Sequence, residues 1–265
     1  MIRHRQADDW LLFTQHDHAL LSGWLAERIG GLVQKPAALA IQGIALHDCG
    51  WPLHDDRPTL NAAGEPLHVF EAPPALSTRI WSASAQRASN KDPYVGLLVS
   101  VHVLYLSGLS STAHHTPQEV FAINKFQHQQ IELQELLRRR LGMRIDVPLS
   151  YGLAELGQSP EEDELLFNYR LLRALDQLSL ALLCSETLFD AIDVCPRPGE
   201  KPAQIRIART EPFAARLDPW PFDSSTLEFT VPYQRLPVRH FATPEEFQAS
   251  YAVAAAQSVS VRVSQ

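Results

Sequence analysis

Residues 93–109, PYVGLLVSVHVLYLSGL, form the most apolar stretch of the chain. Asp92 followed by Pro93 is typical of a helix start, because aspartate caps the first N–H groups and proline fits the first helical position. Apolar residues lie on every side of the predicted helix, so other elements should bury it. The stretch is too short to span a membrane and contains His102, and we therefore expect a core helix.

The same capping chemistry marks further helix starts on both sides of this stretch. A threonine or serine is followed three residues later by an acidic residue at Thr14, Thr116, Ser159 and Thr243. With a start after Pro36, these signals predict helices over about 15–29, 37–48, 117–141 and 160–189, and one more from 244. Residues 51–90 carry scattered proline and glycine with little periodicity, which predicts a long functional loop with at most one helical turn.

Alternating apolar and polar residues predict strands near both ends of the chain. IRHRQ (2–6) and WLLFT (10–14) are typical of a hairpin, and AQIRIAR (203–209), TLEFTV (226–231) and VSVRV (259–263) follow the same period. We expect a mainly α fold with a small antiparallel sheet made from the C-terminal tail, which the hairpin could join. The predicted parts are a hairpin over 1–14, a helical domain over 15–192, and a β-rich subdomain with one helix over 193–265.

Composition limits the classes of partner. The 265 residues are 45% hydrophobic and 20% charged, which is typical of a globular chain, and the net charge is −7. An acidic balance argues against nucleic acid or an anionic membrane as the primary partner. Three cysteines without a CxxC pair, and an N-terminus without an apolar signal segment, favour a reducing cytoplasm.

Several polar residues lie on faces that are otherwise apolar. His18 shares a helical stripe with Leu21 and Leu25, Asp176 lies in the stripe of the helix from 160, and His102 is at the centre of the most apolar helix. His47 and Asp48 end the apolar segment IQGIALHD, and they can converge where the backbone opens at Gly50. Imidazole and carboxylate groups together suit Mn, Fe, Zn or Ni.

Two alternatives explain these residues without a metal. A single core histidine is most often bonded to a backbone carbonyl, which would account for His18 or His102 taken alone. Asp176 could instead pair with Arg170 or Arg173 on its own helix. A buried carboxylate needs one partner or the other, because burial of an unpaired charge costs several kcal/mol, on the order of 3–5.

The order His18, His47–Asp48, Asp176 resembles the H…HD…D signature of the HD-domain superfamily, metal-dependent phosphohydrolases built on a helical core. The resemblance covers about residues 15–190, and QHDHA and HDCGW are similar to an uncharacterised bacterial branch of that group. It implies that His18, His47, Asp48 and Asp176 bind one divalent transition ion. It also implies that Asp48 is catalytic and bridges to a second ion, which His102 and either His114 or His115 would hold.

The chain departs from the usual HD pattern near the dyad. Trp51 stands where many members carry a phosphate-binding lysine, Gln15 stands where many carry arginine, and no GYP motif follows. We expect Trp51, Gln15 and Arg173 at the substrate, with His54 and His68 as further residues of the pocket.

The resemblance implies hydrolysis of a phosphate ester in a small phosphate-containing molecule, and it leaves a homodimer open. The alternative is a catalytically reduced binding or sensory module that keeps its metal, which the two substitutions at Trp51 and Gln15 favour. Retention of all four ligand positions favours the enzyme.

Overall fold

The computed structural model describes residues 1–109, 115–143, 159–185 and 189–265. Within them, helices and strands succeed one another from an N-terminal hairpin, through a run of helices, to a C-terminal group of strands. The helices are α1 (Gln15–Glu27), α2 (Ala38–Leu46), α3 (Pro52–Asp55), α4 (Pro74–Ser89), α5 (Pro93–Leu109), α6 (Pro117–Arg140), α7 (Pro160–Leu183) and α8 (Pro244–Val253). The strands are β1 (Ile2–Gln6), β2 (Asp9–Phe13), β3 (Ala191–Val194), β4 (Ala203–Glu211), β5 (Ala214–Asp218), β6 (Thr226–Pro237) and β7 (Ala256–Ser264).

All seven strands belong to one mixed sheet with the order β1-β2-β6-β7-β5-β4-β3, which curves into a half-barrel. Every neighbouring pair is antiparallel except β5 and β7, which run parallel. The N-terminal hairpin joins the sheet because β2 pairs with the last residues of β6.

The expected mainly α fold with a small sheet is wrong, because about half of the chain is helical and the sheet is large: this is an α/β fold. The error has a local cause. β3 and β5 have only four and five residues, too few to show a clear period of two, and β6 continues six residues beyond the predicted segment. The three predicted tail strands and the two hairpin strands therefore belong to a seven-stranded sheet, whose other two strands were not predicted.

The second strand is buried on both faces, which explains why its sequence, DWLLF, is almost uniformly apolar. Leu11 and Phe13 point into the main core between the helices and the sheet. Trp10 and Leu12 point the other way, into a smaller cluster with Phe247 of α8 and its neighbours. The hairpin therefore connects two layers of side chains.

α5 is a core helix, as predicted. It contacts α2, α4, α6 and α7. Valine and leucine side chains on all its sides are buried, and so is His102. Among the described residues no helix combines the length and the apolar character needed to cross a membrane.

Two boundary predictions were wrong. Residues 51–90 contain α3, a 3₁₀ turn at Val69–Glu71 and the sixteen-residue α4, rather than one long loop. The buried face of α4 consists of small residues around Ile80, and such residues leave no apolar period in the sequence. α7 ends at Leu183 rather than near 189. At this end of the helix the Arg209 guanidinium donates hydrogen bonds to the carbonyls of Ala181 and Cys184.

Two helices that carry candidate site residues, α1 and α2, pack very closely. A Cβ atom added at Gly23 of α1 would meet the Cβ of Ala45 of α2 at far less than van der Waals distance. Glycine is needed here for the close approach, and the approach sets the distance between His18 on α1 and His47 after α2.

We predict that Gly23→Ala destabilises the protein by about 1–3 kcal/mol, because the added methyl group must force the two helices apart. Chemical unfolding measures the change. The matched partner is Ala45→Gly, which removes the opposing methyl group, so the double variant should be less destabilised than the sum of the single variants. Strict additivity of the two effects would show that the helices do not meet at this point.

Candidate metal centre

His18 lies on α1 with its ring fixed by a serine of α7. Its Nδ1 lies 2.7 Å from the Oγ of Ser179, and the Ser179 hydroxyl donates its one proton to the carbonyl of Asp176 at 2.8 Å. When the hydroxyl donates to that carbonyl, its Oγ accepts from the Nδ1–H of His18. This arrangement leaves the Nε2 lone pair of His18 facing the centre of the helical core.

His47 follows the last residue of α2 and has the same tautomer for a similar reason. Its Nδ1 lies 2.7 Å from the carbonyl oxygen of Ile44, which can only accept, so Nδ1 carries the proton. The backbone at His47 stays in the α region, with φ −57° and ψ −30°. Residues 47–51 form turns after α2, and Gly50 allows α4 to approach, since an added Cβ would collide with the Ile80 carbonyl.

The two Nε2 atoms of His18 and His47 face each other at 3.2 Å. Two carboxylates flank them: Asp48 Oδ2 lies 3.1 Å from His18 Nε2, and Asp176 Oδ1 lies 3.6 Å from His47 Nε2 and 3.7 Å from His18 Nε2. The two histidines are 1% exposed, whereas the side chains of Asp48 and Asp176 are 7% and 12% exposed. The histidines therefore form the base of the cluster and the carboxylates its more open side.

These separations fit a shared metal ion. With metal–ligand bonds of about 2.0–2.2 Å, ligand atoms around one ion lie about 3.0–3.5 Å apart in tetrahedral or octahedral geometry. One ligand atom each from His18, His47 and Asp176 all lie within 4.8 Å of one another, so small rotations would complete the arrangement. Asp48 is adjacent to this set, 3.8 Å from His47 Nε2.

His102 is also part of the cluster. Its ring lies 5.2 Å from that of His47, and its Nε2 lies 3.7 Å from Asp176 Oδ2. Both of its ring nitrogens are buried without a hydrogen-bond partner among the described residues. Asp176 thus lies between the His18–His47 pair and His102, which is the bridging place that the sequence assigned to Asp48.

The electrostatics of the cluster favour positive charge between the histidines and the carboxylates. Burial alone would lower the pKa of His47, but the charge of Asp48 and the hydrogen bond and charge of Asp176 raise it to about 9. Burial would raise the pKa of Asp176, but His47 and the two other histidines hold it well below its usual range. Burial lowers the pKa of His102 to about 4, so that imidazole is neutral near pH 7.

The other predicted site residues are dispersed. His115 lines a separate cavity of about 160 Å³ beside Trp81 and Ser107, and His114 lies outside the described residues. Trp51 is buried, with its ring 5.8 Å from that of His54, and Gln15 is buried at the start of α1. Arg173 lines a cavity on the flank of α7, and His68 lies by a cavity near Arg3.

The contacts of the cluster differ from those that the two alternatives expected. Among its five residues only His47 bonds a backbone carbonyl, and it does so through Nδ1 with Nε2 still directed at the cluster. Arg173 donates to the hydroxyl of Tyr105 and Arg170 to the Sγ of Cys195, so in the described part of the chain neither pairs with Asp176.

Sequence reasoning missed two supporting residues. Ser179, whose Oγ lies 2.7 Å from Nδ1 of His18, was assigned no role from the sequence. Asp55 accepts a hydrogen bond of 3.0 Å from the backbone N–H of Gln15 and so holds the start of α1, the helix that carries His18. The available signal was a second Leu-His-Asp triplet, 53–55, seven residues after 46–48; seven residues make about two helical turns and return to the same side.

Comparisons with known proteins identify a family without a function. A family model described as "Protein of unknown function (DUF3891)" matches residues 1–238, which include all five residues of the cluster. No curated protein and no solved structure matches the chain.

We predict that His102→Leu leaves the stability of metal-free protein unchanged or raises it by about 1–2 kcal/mol. The substitution removes two buried nitrogens that have no hydrogen-bond partner and preserves much of the volume. The control is His47→Leu, which breaks the bond to Ile44 and leaves Asp176 without its main partner, and which should destabilise. Thermal melts in chelator measure both; a large loss for His102→Leu would mean that its imidazole makes a structural contact.

Proposed function

This chain belongs to the DUF3891 family of proteins of unknown function, and we propose that it is a metal-dependent hydrolase of phosphate esters. One observation carries the proposal: the Nε2 atoms of His18 and His47 face each other at 3.2 Å while the Nδ1 atom of each ring is bonded elsewhere. Two lone pairs at that distance repel unless a cation or a proton lies between them. In metal-free protein the raised pKa of His47 supplies such a proton at neutral pH, and the buried carboxylates on both sides would hold a divalent cation in its place.

The proposed principal ligands are His18, His47 and Asp176, with Asp48 completing the set. Two imidazoles with carboxylates suit Mn, Fe, Zn or Ni. A divalent ion held there would act as a Lewis acid on a phosphoryl oxygen and would lower the pKa of a coordinated water towards neutrality. Ser179 fixes the tautomer of His18, and the carbonyl of Ile44 fixes that of His47, so both nitrogens stay available as ligands.

Asp48 is the proposed catalytic residue. Its Oδ2 lies at the edge of the cluster, 3.1 Å from His18, and its side chain is one of the two more exposed ones. A carboxylate in this place can orient the attacking water and accept its proton. A second ion, if the centre is binuclear, would lie between Asp176 Oδ2 and His102, where two buried nitrogens have no hydrogen-bond partner in the described structure.

The proposed substrate is a small molecule with a phosphate group, in keeping with the resemblance to HD-domain phosphohydrolases. Of the three residues expected at the substrate, Trp51 and Gln15 are uncharged and each only 2% exposed. Neither can therefore pair with the charge of a phosphate. Arg173 is the one charged residue of the three, and it lines the separate cavity on the flank of α7.

A second candidate function is a binding or sensory module that holds its metal without turnover. The observation that favours it is enclosure: the histidines are almost fully buried, and none of the three cavities described above is lined by a residue of the cluster. An enclosed ion suits metal sensing or structural support better than exchange of a substrate. We place the enzyme first because all four ligand positions of the HD pattern are retained.

We also propose a reducing cytoplasm as the compartment, since Cys49, Cys184 and Cys195 are all free thiols. The acidic net charge supports a small-molecule ligand rather than nucleic acid or an anionic membrane as partner.

We predict about one bound transition ion per chain in protein purified without chelator, and hydrolysis of at least one compound in a panel of phosphomonoesters, nucleotides and phosphodiesters. Elemental analysis measures the first, and released phosphate the second. Asp176→Asn should lose both, because it removes a charged ligand. The control is Asp163→Asn on the same helix and outside the cluster, which should lose neither.

The outcomes separate the two candidate functions. Metal that binds stoichiometrically without turnover of any compound in the panel favours the binding module. Absence of metal from wild type, even after reconstitution with Mn, Fe, Zn or Ni, rejects both functions together.

We predict that Ser179→Ala weakens metal affinity by about 10–100-fold, because His18 loses the acceptor that fixes its tautomer and orientation. Ser22→Ala is the matched control: the Ser22 hydroxyl lies within 3.0–3.2 Å of the Oγ of Ser179 and of two backbone carbonyls, to one of which it donates, and it makes no bond to the imidazole. A competition titration with a metal-binding dye compares the two. Equal losses in both variants would show that the effect is one of packing rather than of ligand orientation.

A further inference from the structure

A polar cavity of about 260 Å³ lies on the flank of α7, against β3 and β4, apart from the metal cluster. Its volume suits a phosphoryl or carboxylate group with a few further atoms, and it is below the roughly 300–1,000 Å³ of sites for drug-sized ligands. The side chains that line it are polar for the most part: Arg170, Arg173, Gln177, Asp193 and Gln204.

The two arginines are close together and lack carboxylate partners. Residues three apart on a helix are neighbours, and like charges at that spacing repel. Within the described ranges neither Arg170 nor Arg173 forms an ion pair, although Asp193 also lines the cavity. Elsewhere on the surface, arginines such as Arg235 and Arg239 do pair with acidic residues. Two guanidinium groups that share one cavity and have no ion-pair partner therefore favour the binding of an external anion.

Both guanidinium groups are held in place by neighbouring side chains. Arg173 lies over the ring of Tyr105, 4.0 Å from its centroid, and donates to the Tyr105 hydroxyl at 2.7 Å. Arg170 donates to the Sγ of Cys195 at 3.3 Å. A guanidinium group has five N–H donors, so each arginine keeps further donors for a ligand. Fixed forks of this kind match the geometry of phosphate and carboxylate oxygens.

We propose that this cavity binds the phosphate group of a small hydroxylated compound, separately from the metal centre. Arg170 and Arg173 hold the anionic oxygens. The carboxylate of Asp193 cannot face the anion and instead accepts a hydrogen bond from a hydroxyl group of the ligand. The amides of Gln177 and Gln204 can donate or accept, which suits a polyol rather than an apolar body.

The test measures binding of inorganic phosphate, glycerol 3-phosphate and glycerol to full-length protein in chelator, by calorimetry. Chelator keeps the metal centre out of the measurement, so the result does not depend on the proposed hydrolase. We expect glycerol 3-phosphate to bind more tightly than phosphate, and glycerol not to bind. Arg170→Gln and Arg173→Gln should each weaken binding at least tenfold, and Arg170→Lys should weaken it less.

The matched control is Arg206→Gln, which removes an exposed arginine of β4 that does not line the cavity, and it should bind as wild type does. Thermal melts of each variant separate loss of binding from loss of folding. Equal binding by wild type, Arg170→Gln and Arg173→Gln overturns the proposal. Binding that appears only after metal is added assigns the phosphate to the metal centre and overturns it as well.

Discussion

Two imidazole nitrogens that face each other at 3.2 Å inside a helical core impose the main constraint on this structure. They come from different helices, and each ring is held by a bond to its other nitrogen. The contact requires α1 and α2 to pack at the distance that Gly23 permits, and it requires α7 to bring Ser179 and Asp176 to the same place. The apolar α5 adds His102 and closes the core around them.

The site was more predictable than the fold. His18, His47 and Asp176 were each recognisable because a polar residue on an apolar helical stripe demands a partner, and the structure places them together. The resemblance to HD-domain enzymes assigned the bridging role to Asp48, whereas in space Asp176 lies between the histidine pair and His102. Spacing along a helix shows which face a residue occupies, but it does not show how three separate helices are arranged around that face.

The sheet was underestimated for a related reason. A strand of four or five residues, such as β3 or β5, has too few positions to display alternation, and it is defined by hydrogen bonds to its neighbours. α4 was not predicted because the buried face of this helix consists mostly of serine and alanine. Such small residues can be buried without leaving an apolar period in the sequence. The capping signals predicted helix starts correctly. The N-caps are Thr14, Thr116, Ser159 and Thr243.

The position of β7 within the sheet has a consequence for the order of folding. This strand comes after all the other strands in the chain, yet it lies between β6 and β5, pairing with one antiparallel and with the other in parallel. Until it is in place, the sheet consists of two separate ribbons, β1-β2-β6 and β5-β4-β3, each with an unpaired inner edge. Unpaired edges invite association with other chains. Protection of both ribbons from association therefore depends on insertion of this one strand between them.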